Sequence, residues 1–262
     1  GWPTVLGQID LGPFEWTWVR ERTARYRHLE PPEAEPPEAY WQHWREELKL
    51  ADTIVVNSVW SQEAMLKQGV PAEALRIVPL ALDPPEVPPP PRRPRSPGDP
   101  LRVLFLGRLL LRKGAGELFD AIQRLHRAPV HFDFAGPVAV QVPSGVQRPG
   151  VTFHGAVTRD EAQRRYHNAD VFVLPTHSDG FAITQLEALR AGVPVIASQY
   201  CARVVTDGHD GILLPEVSAK AIADTLLRLL EAPGLLEHLQ ANARLPEAFR
   251  RDKLAENLLS LG

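Results

Sequence analysis

A single cysteine, Cys201, is all the chain of 262 residues contains, so no internal disulfide can form and the composition suits a reducing compartment. Charge of one sign is lacking too. The net value is −3 at pH 7, so no global field draws in nucleic acid or an anionic bilayer. No apolar run approaches the roughly 18 residues of a membrane span, and no signal-peptide pattern stands at the opening Gly1. The expectation is a cytoplasmic protein, with peripheral docking at a membrane as an alternative. What is present, 44% hydrophobic and 23% charged residues, fits one large or two modest globular domains.

The clearest boundary is the proline-rich stretch Pro84-Pro-Glu-Val-Pro-Pro-Pro-Pro-Arg-Arg-Pro-Arg-Ser-Pro97. Proline holds the chain extended and cannot donate to a sheet ladder, so 84–100 reads as a semi-rigid linker. After it, apolar strands are expected at 102–106, 130–135, 151–154, 170–174, 193–197 and 211–214. Amphipathic helices are expected at 117–126, 159–168, 184–191 and 219–230. Near-continuous apolar strands alternating with helices indicate a parallel sheet covered on both faces, and six strands complete a doubly wound unit over 101–245. Before the linker, strands are expected at 4–9, 53–57 and 75–79, with helices at 16–28, 39–50 and 61–68 and a loop at 31–37. Three strands leave one sheet edge and its apolar face bare. Residues 1–83 are therefore expected to be the C-terminal part of a second α/β domain whose other strands precede Gly1.

One segment concentrates the chemistry: Pro175-Thr-His-Ser-Asp-Gly-Phe-Ala-Ile-Thr-Gln-Leu-Glu187. It leaves an apolar strand, passes a polar loop and enters a helix. A helix start offers unpartnered N–H groups and partial positive charge, so it attracts phosphate. Asp179 and Glu187, eight positions apart, are carboxylates that can each accept hydrogen bonds from a vicinal diol such as a ribose. Phosphate flanked by diols reads as a nucleotide-sugar site.

Other residues collect at the same expected strand ends, where open α/β sheets bind ligands. Gly107-Arg-Leu-Leu-Leu-Arg-Lys-Gly114 places Arg108 and Lys113 five apart, where two cations can converge on a diphosphate; the alternative is a solvated basic loop. Arg112 reads as the solvated member. Gly136-Pro137 marks a tight turn, and Gly155-Ala-Val157 offers backbone groups at the same edge. His154, without an acidic neighbour in sequence, reads as a packed or solvent-facing histidine, whereas His177 lies two residues before Asp179 and carries more weight. Asp207-Gly-His-Asp-Gly211 suits a turn better than a metal loop, since it has too few ligands for calcium.

Together these residues resemble glycosyltransferase family 4, the retaining GT-B enzymes. The motifs are Gly107-Arg108 with Lys113-Gly114, Val151-Thr-Phe-His-Gly155, Asp179-Gly-Phe-Ala with Gln185-Leu-Glu187-Ala, and Gly192-Val-Pro-Val-Ile-Ala197. The segment from Ala51-Asp-Thr-Ile-Val-Val-Asn-Ser58 to Leu82 is similar to the end of that family's N-terminal domain. The resemblance implies that Arg108 and Lys113 bind the donor diphosphate and stabilise the leaving group. Asp179 stands where the family usually has the first glutamate of its E-x7-E motif and would contact the sugar. The N–H groups of Gly180, Phe181 and Ala182 would meet sugar and phosphate, and Glu187 the ribose. Gly107, Gly136, Gly155, Val157 and Ile183 complete the expected donor-binding set.

The implied reaction is metal-independent transfer of a hexose-type sugar, with retention, from a nucleotide diphosphate sugar to a hydroxyl of a glycan, a lipid-linked or a small-molecule acceptor. No cofactor beyond that donor and no nucleic acid is expected. The segment 246–262 would cross back to the first domain. No catalytic histidine from the N-terminal domain can be assigned. Rival readings are a nucleotide-sugar-binding fragment without activity and a GT-B epimerase or phosphorylase. A further one is membrane docking through Trp16, Trp18, Arg20, Arg22, Arg25 and Arg27, against which stands an interdomain helix.

Overall fold

Short apolar runs bounded by glycine, proline and polar residues set the strands, and helices with one apolar face fill the intervals. A computed structural model describes residues 3–31, 34–86, 96 and 98–261; most of the proline-rich stretch, 87–95 and 97, and part of the 31–37 loop lie outside the described residues. The first layer comprises β1 (Val5–Gly7), α1 (Gly12–Arg22), a 3-10 turn at Ala24–Leu29, α2 (Glu38–Leu50), β2 (Thr53–Val56), α3 (Val59–Lys67) and β3 (Leu75–Ile77). Its three strands pair in parallel in the order β1-β2-β3. Trp41, Trp44, Ile54, Val56, Met65, Val70 and Leu75 form its core. The β1 edge is open, with Val5 51% and the following Ile9 74% exposed.

The second layer runs β4 (Leu101–Leu106), α4 (Ala115–Arg124), β5 (Val130–Ala135), β6 (Val151–Gly155), α5 (Arg159–Asn168), β7 (Val171–Leu174), α6 (Thr184–Arg190), β8 (Val195–Ala197), β9 (Gly211–Leu213), α7 (Ala219–Glu231), α8 (Pro233–Asn242) and α9 (Arg251–Leu259). The six strands are all parallel in the order β6-β5-β4-β7-β8-β9. Strand order therefore reverses between β4 and β7, which is the crevice where doubly wound sheets bind ligands. One sheet face packs Val103, Phe105, Phe132 and Phe134 against α4 and α7. The other packs Leu104, Phe172 and Leu174 with Tyr166 and Leu186.

Arg102 and Asp170 lock the opposite end of that crevice. Asp170 is 2% exposed and accepts Arg102 Nη2 at 2.7 Å and Nε at 3.1 Å, a two-pronged pair that raises the arginine pKa further. The expected strands and helices recur, with ends moved by one or two residues in either direction apart from the first helix. Two differences matter. The helix expected at 16–28 starts earlier, with Pro13 in its first turn, and tightens into a 3-10 turn after Arg22. The second is α8, which follows α7 after only Ala232 and begins on Pro233, so its sequence runs on from the helix before it.

The two layers are joined by more than the linker. Tyr26 and Leu29 sit in the second layer's core, and Tyr26 Oη donates to Asp120 at 2.8 Å. Trp18, Trp60, Phe14 and Tyr200 form an aromatic cluster across the junction, with Trp18 and Trp60 each 5.3 Å from Tyr200. The C-terminal segment returns to the start of the linker, where Leu82 N–H donates to Phe249 O at 3.0 Å and Arg251 pairs with Asp83 at 3.1 Å.

Candidate functional site

Four glycines make the floor. Gly107 ends β4 with φ of 139°, and a side chain there would meet nothing within 4 Å. Gly136 ends β5 at φ of 130°, and its missing Cβ would lie 2.1 Å from Gly107 O. Gly136 N–H donates to Gly155 O at 2.7 Å, so the three backbones form one row along the strand ends. Gly114 has φ of 79° and is crowded by Pro175 O, which is how α4 approaches the loop after β7 so closely.

On this floor the loop Pro175–Gly180 brings Asp179 to Lys113. The two side chains form an ion pair and are only 14% and 17% exposed. The other carboxylate oxygen, Oδ1, accepts the N–H of Ala182 at 2.8 Å and of Phe181 at 3.2 Å. Asp179 thus caps the turn before α6, and two of the three N–H groups expected to meet sugar and phosphate, those of Phe181 and Ala182, are engaged by it. Ala182 holds this turn with φ of 59°, the left-handed region that alanine adopts at a cost. Phe181 is buried and meets Phe249 edge-on at 5.8 Å.

Glu187 lies in the first turn of α6, half-buried, and its Oε2 accepts the hydroxyl of Tyr166 at 3.0 Å. Tyr166 is 1% exposed; burial, then the Glu187 charge, holds its pKa well above the usual tyrosine value, so it stays a donor. One glutamate oxygen is thereby fixed, and the other retains accepting capacity. Arg108 is exposed and makes no hydrogen bond or ion pair among the described residues. Val157 and Ile183 pack half-buried against the core around Phe172.

One expectation needs correction, and both histidines find acidic partners in space. Arg112 is no solvated side chain: Nη1 donates to Ser178 O at 2.9 Å and lies 3.5 Å from Glu15 of α1. His154 is half-buried and finds across the sheet the acidic partner it lacks in sequence, Asp133 on the adjacent strand β5, at 2.6 Å. His177 is buried, and its Nε2 lies 2.9 Å from the buried Glu117 of α4. The basic and aromatic residues of α1 and of the 3-10 turn after it make contacts within the protein. Trp18 Nε1 donates to His177 O at 2.8 Å, Trp16 packs on the first core, and the Arg22 guanidinium lies 3.0 Å above the Trp18 ring. Arg25 pairs with Asp120, Arg20 with Glu35, and Arg27 Nη2 donates to Arg20 O. Of these residues, Trp18 and Arg25 reach the second layer. No helix among the described residues is long and apolar enough to cross a membrane.

Cys201 lies beneath the site, 0% exposed, with its thiol pushed up to about 12 by burial and then by the Asp179 charge. The sequence reading missed Ser58, Ser61 and Trp60. Ser58 Oγ donates to Gly180 O at 2.5 Å, Ser61 Oγ lies 3.2 Å from the same oxygen, and Trp60 Nε1 donates to Ser178 Oγ at 3.0 Å. Their only sequence signal is a serine ending a strand and starting a helix.

The fold and site define an α/β protein of GT-B type, with one complete doubly wound domain beside a three-stranded one. Residues 100–232 match the family of glycosyl transferases group 1, and the chain belongs to that family. A D-inositol 3-phosphate glycosyltransferase of Streptomyces bingchenggensis is 33% identical over 61% of this chain and 39% of its own length. The amylovoran biosynthesis glycosyltransferase AmsK of Erwinia amylovora is 26% identical over 75% of this chain and 52% of its own. The chain thus spans about half, or less, of the length of these relatives. Among solved structures, sucrose-phosphate synthase of Thermosynechococcus elongatus superposes with a TM-score of 0.75 at 22% identity, covering 98% of this chain and 66% of that one. Anabaena HepE in complex with UDP and glucose gives 0.71 at 17% identity, covering 99% and 71%.

Proposed function

We propose that the chain carries the donor site of a retaining glycosyltransferase that uses a nucleotide diphosphate sugar. The observation that carries this reading is the meeting of Asp179, Lys113 and the start of α6 at the strand-order reversal, with Glu187 in the first turn of the same helix. Glu187 binds the ribose hydroxyls through the oxygen that Tyr166 leaves available. The diphosphate lies over the glycine row and competes with Asp179 for the Lys113 ammonium, while Arg108 closes on it from the exposed side. Asp179, still held by the Phe181 and Ala182 N–H groups, accepts hydroxyls of a hexose-type sugar.

In the reaction the acceptor oxygen bonds to the anomeric carbon as the bond to the β-phosphate oxygen breaks. The acceptor proton passes to the departing diphosphate on the same face, so configuration is retained. Lys113 and Arg108 neutralise the charge that develops on the leaving group, the task a divalent cation performs elsewhere. Removing one such contact is expected to cost about 2.7–4 kcal/mol of transition-state stabilisation. Support for a nucleotide-sugar donor comes from the structural neighbour HepE, solved with UDP-glucose, and support for a glycan or lipid-linked acceptor from a Campylobacter jejuni relative named as an N-acetylgalactosaminyltransferase of a diphospho-undecaprenol-linked sugar. The acceptor class here is a hydroxyl of a glycan, a lipid-linked or a small-molecule acceptor.

The test is a panel of UDP-, GDP- and ADP-sugars, with binding read by calorimetry and nucleoside diphosphate release read with and without chelator. Saturable binding of one nucleotide class, with any turnover insensitive to chelator, is expected. Failure to bind any of them would remove the reading, and phosphate-dependent cleavage or epimer formation would replace transfer.

A further inference from the structure

Around the donor loop, three backbone carbonyls are held from outside the second sheet. Trp18 Nε1 of α1 takes His177 O at 2.8 Å, Arg112 takes Ser178 O at 2.9 Å, and Ser58 Oγ takes Gly180 O at 2.5 Å. Ser58 is 4% exposed and Ser61 fully buried, so the serine side of the Gly180 bond is shielded from solvent. Gly180 is approached so closely that a Cβ there would lie 3.2 Å from Ile9 O and 3.3 Å from Asn57 Nδ2.

The consequence follows from peptide planarity. Gly180 C=O and Phe181 N–H belong to one trans peptide unit and point in opposite directions. Fixing the carbonyl on the first layer therefore fixes the N–H on the other side, where it meets Asp179 Oδ1 at 3.2 Å. The unit between Ser178 and Asp179 is set likewise, its carbonyl on Arg112 and its N–H on Tyr200 O at 2.9 Å. We infer that Ser58, in the first layer, is a positioning residue for Asp179: it orients the 180–181 peptide so that the carboxylate is held where the donor sugar arrives. This rests on the donor-site reading above for its purpose, though not for its geometry.

Ser58 also caps α3, accepting Ser61 N–H at 3.0 Å, so its removal mixes two effects. Ser218 supplies a control, because it caps α7 in the same way, accepting Ala221 N–H at 3.1 Å. Amide hydrogen exchange is measured by NMR on the ligand-free chain carrying Ser58→Ala, Ser58→Thr or Ser218→Ala. Ser58→Ala is expected to lower protection of the Phe181 amide about tenfold, with Ser58→Thr restoring it and Ser218→Ala leaving it unchanged. In an Asp179→Ala background, where that amide has already lost its acceptor, Ser58→Ala should add less than twofold.

A second arm compares affinity for UDP-glucose with that for UDP. Ser58→Ala should weaken the sugar nucleotide about tenfold more than UDP, since Asp179 serves the sugar. If the folded Ser58→Ala protein keeps wild-type protection at Phe181, or if Ser218→Ala loses as much, the inference is overturned. Should Ser58→Ala not fold, Ser58→Cys, which keeps a short side chain at the same position but offers only a weak S–H donor, must lower protection of the Phe181 amide, and unchanged protection overturns the inference equally. A wild-type chain that binds no nucleotide would bring down the donor-site reading alone, because the exchange experiment decides the positioning without ligand.

Discussion

Lys113→Met tests the heart of the site without any ligand. The substitution keeps most of the side-chain length and removes the charge. It leaves the Asp179 carboxylate, 14% exposed, with the Phe181 and Ala182 N–H groups as its remaining partners. Breaking a fully buried ion pair costs about 3–5 kcal/mol, because one charge stays desolvated. Here some solvent reaches both side chains and two N–H donors persist, so about 2–3 kcal/mol is expected. Asp179→Asn in the same background removes the stranded charge and should recover at least about 1 kcal/mol. The assay is urea unfolding followed by tryptophan fluorescence, since Trp18 and Trp60 both donate to the donor loop. Comparable m-values across the four proteins of the cycle would show that midpoints can be compared. A Lys113→Met loss under about 0.5 kcal/mol, or additive single-mutant losses, would refute the claim that the pair is buried and coupled.

Three further outcomes are expected. Ala182→Gly should stabilise the protein by about 0.5–1 kcal/mol in the same assay, because it relieves a φ of 59°; a loss would mean that the alanine methyl is needed for packing. Gly116→Ala would drive a Cβ to within 2.3 Å of the Tyr26 ring and should cost about 1–3 kcal/mol, read as a lower midpoint. Cys201, with its thiol raised to about 12, should resist iodoacetamide at pH 8 in the folded chain and react on unfolding, as mass spectrometry would record.

The second sheet was legible because its strands are apolar on both faces: Val171-Phe-Val-Leu174 has every residue buried, a pattern that only a covered parallel strand produces. Asp179 and Lys113 were each singled out by their place at expected strand ends, but not as partners of one another. They lie 66 positions apart, and only the β4–β7 adjacency brings them together. The same limit hid Arg112, whose partner Ser178 is also 66 positions away, and His154, whose partner Asp133 is on a neighbouring strand. The first layer's grip on the donor loop left least trace. Ser58 reads locally as a helix cap, which it is, and nothing near it in sequence announces a carbonyl 122 positions distant.

Titration of UDP, GDP and free pyrophosphate into the wild-type chain and into Glu187→Ala and Arg108→Ala bears most directly on the site as a whole. One nucleotide should bind at a single site. Glu187→Ala should weaken it about tenfold or more while sparing pyrophosphate, and Arg108→Ala should weaken both. Equal loss of both ligands in Glu187→Ala, or unchanged nucleotide affinity in either variant, would contradict a ribose carboxylate and a diphosphate cation sharing one cleft.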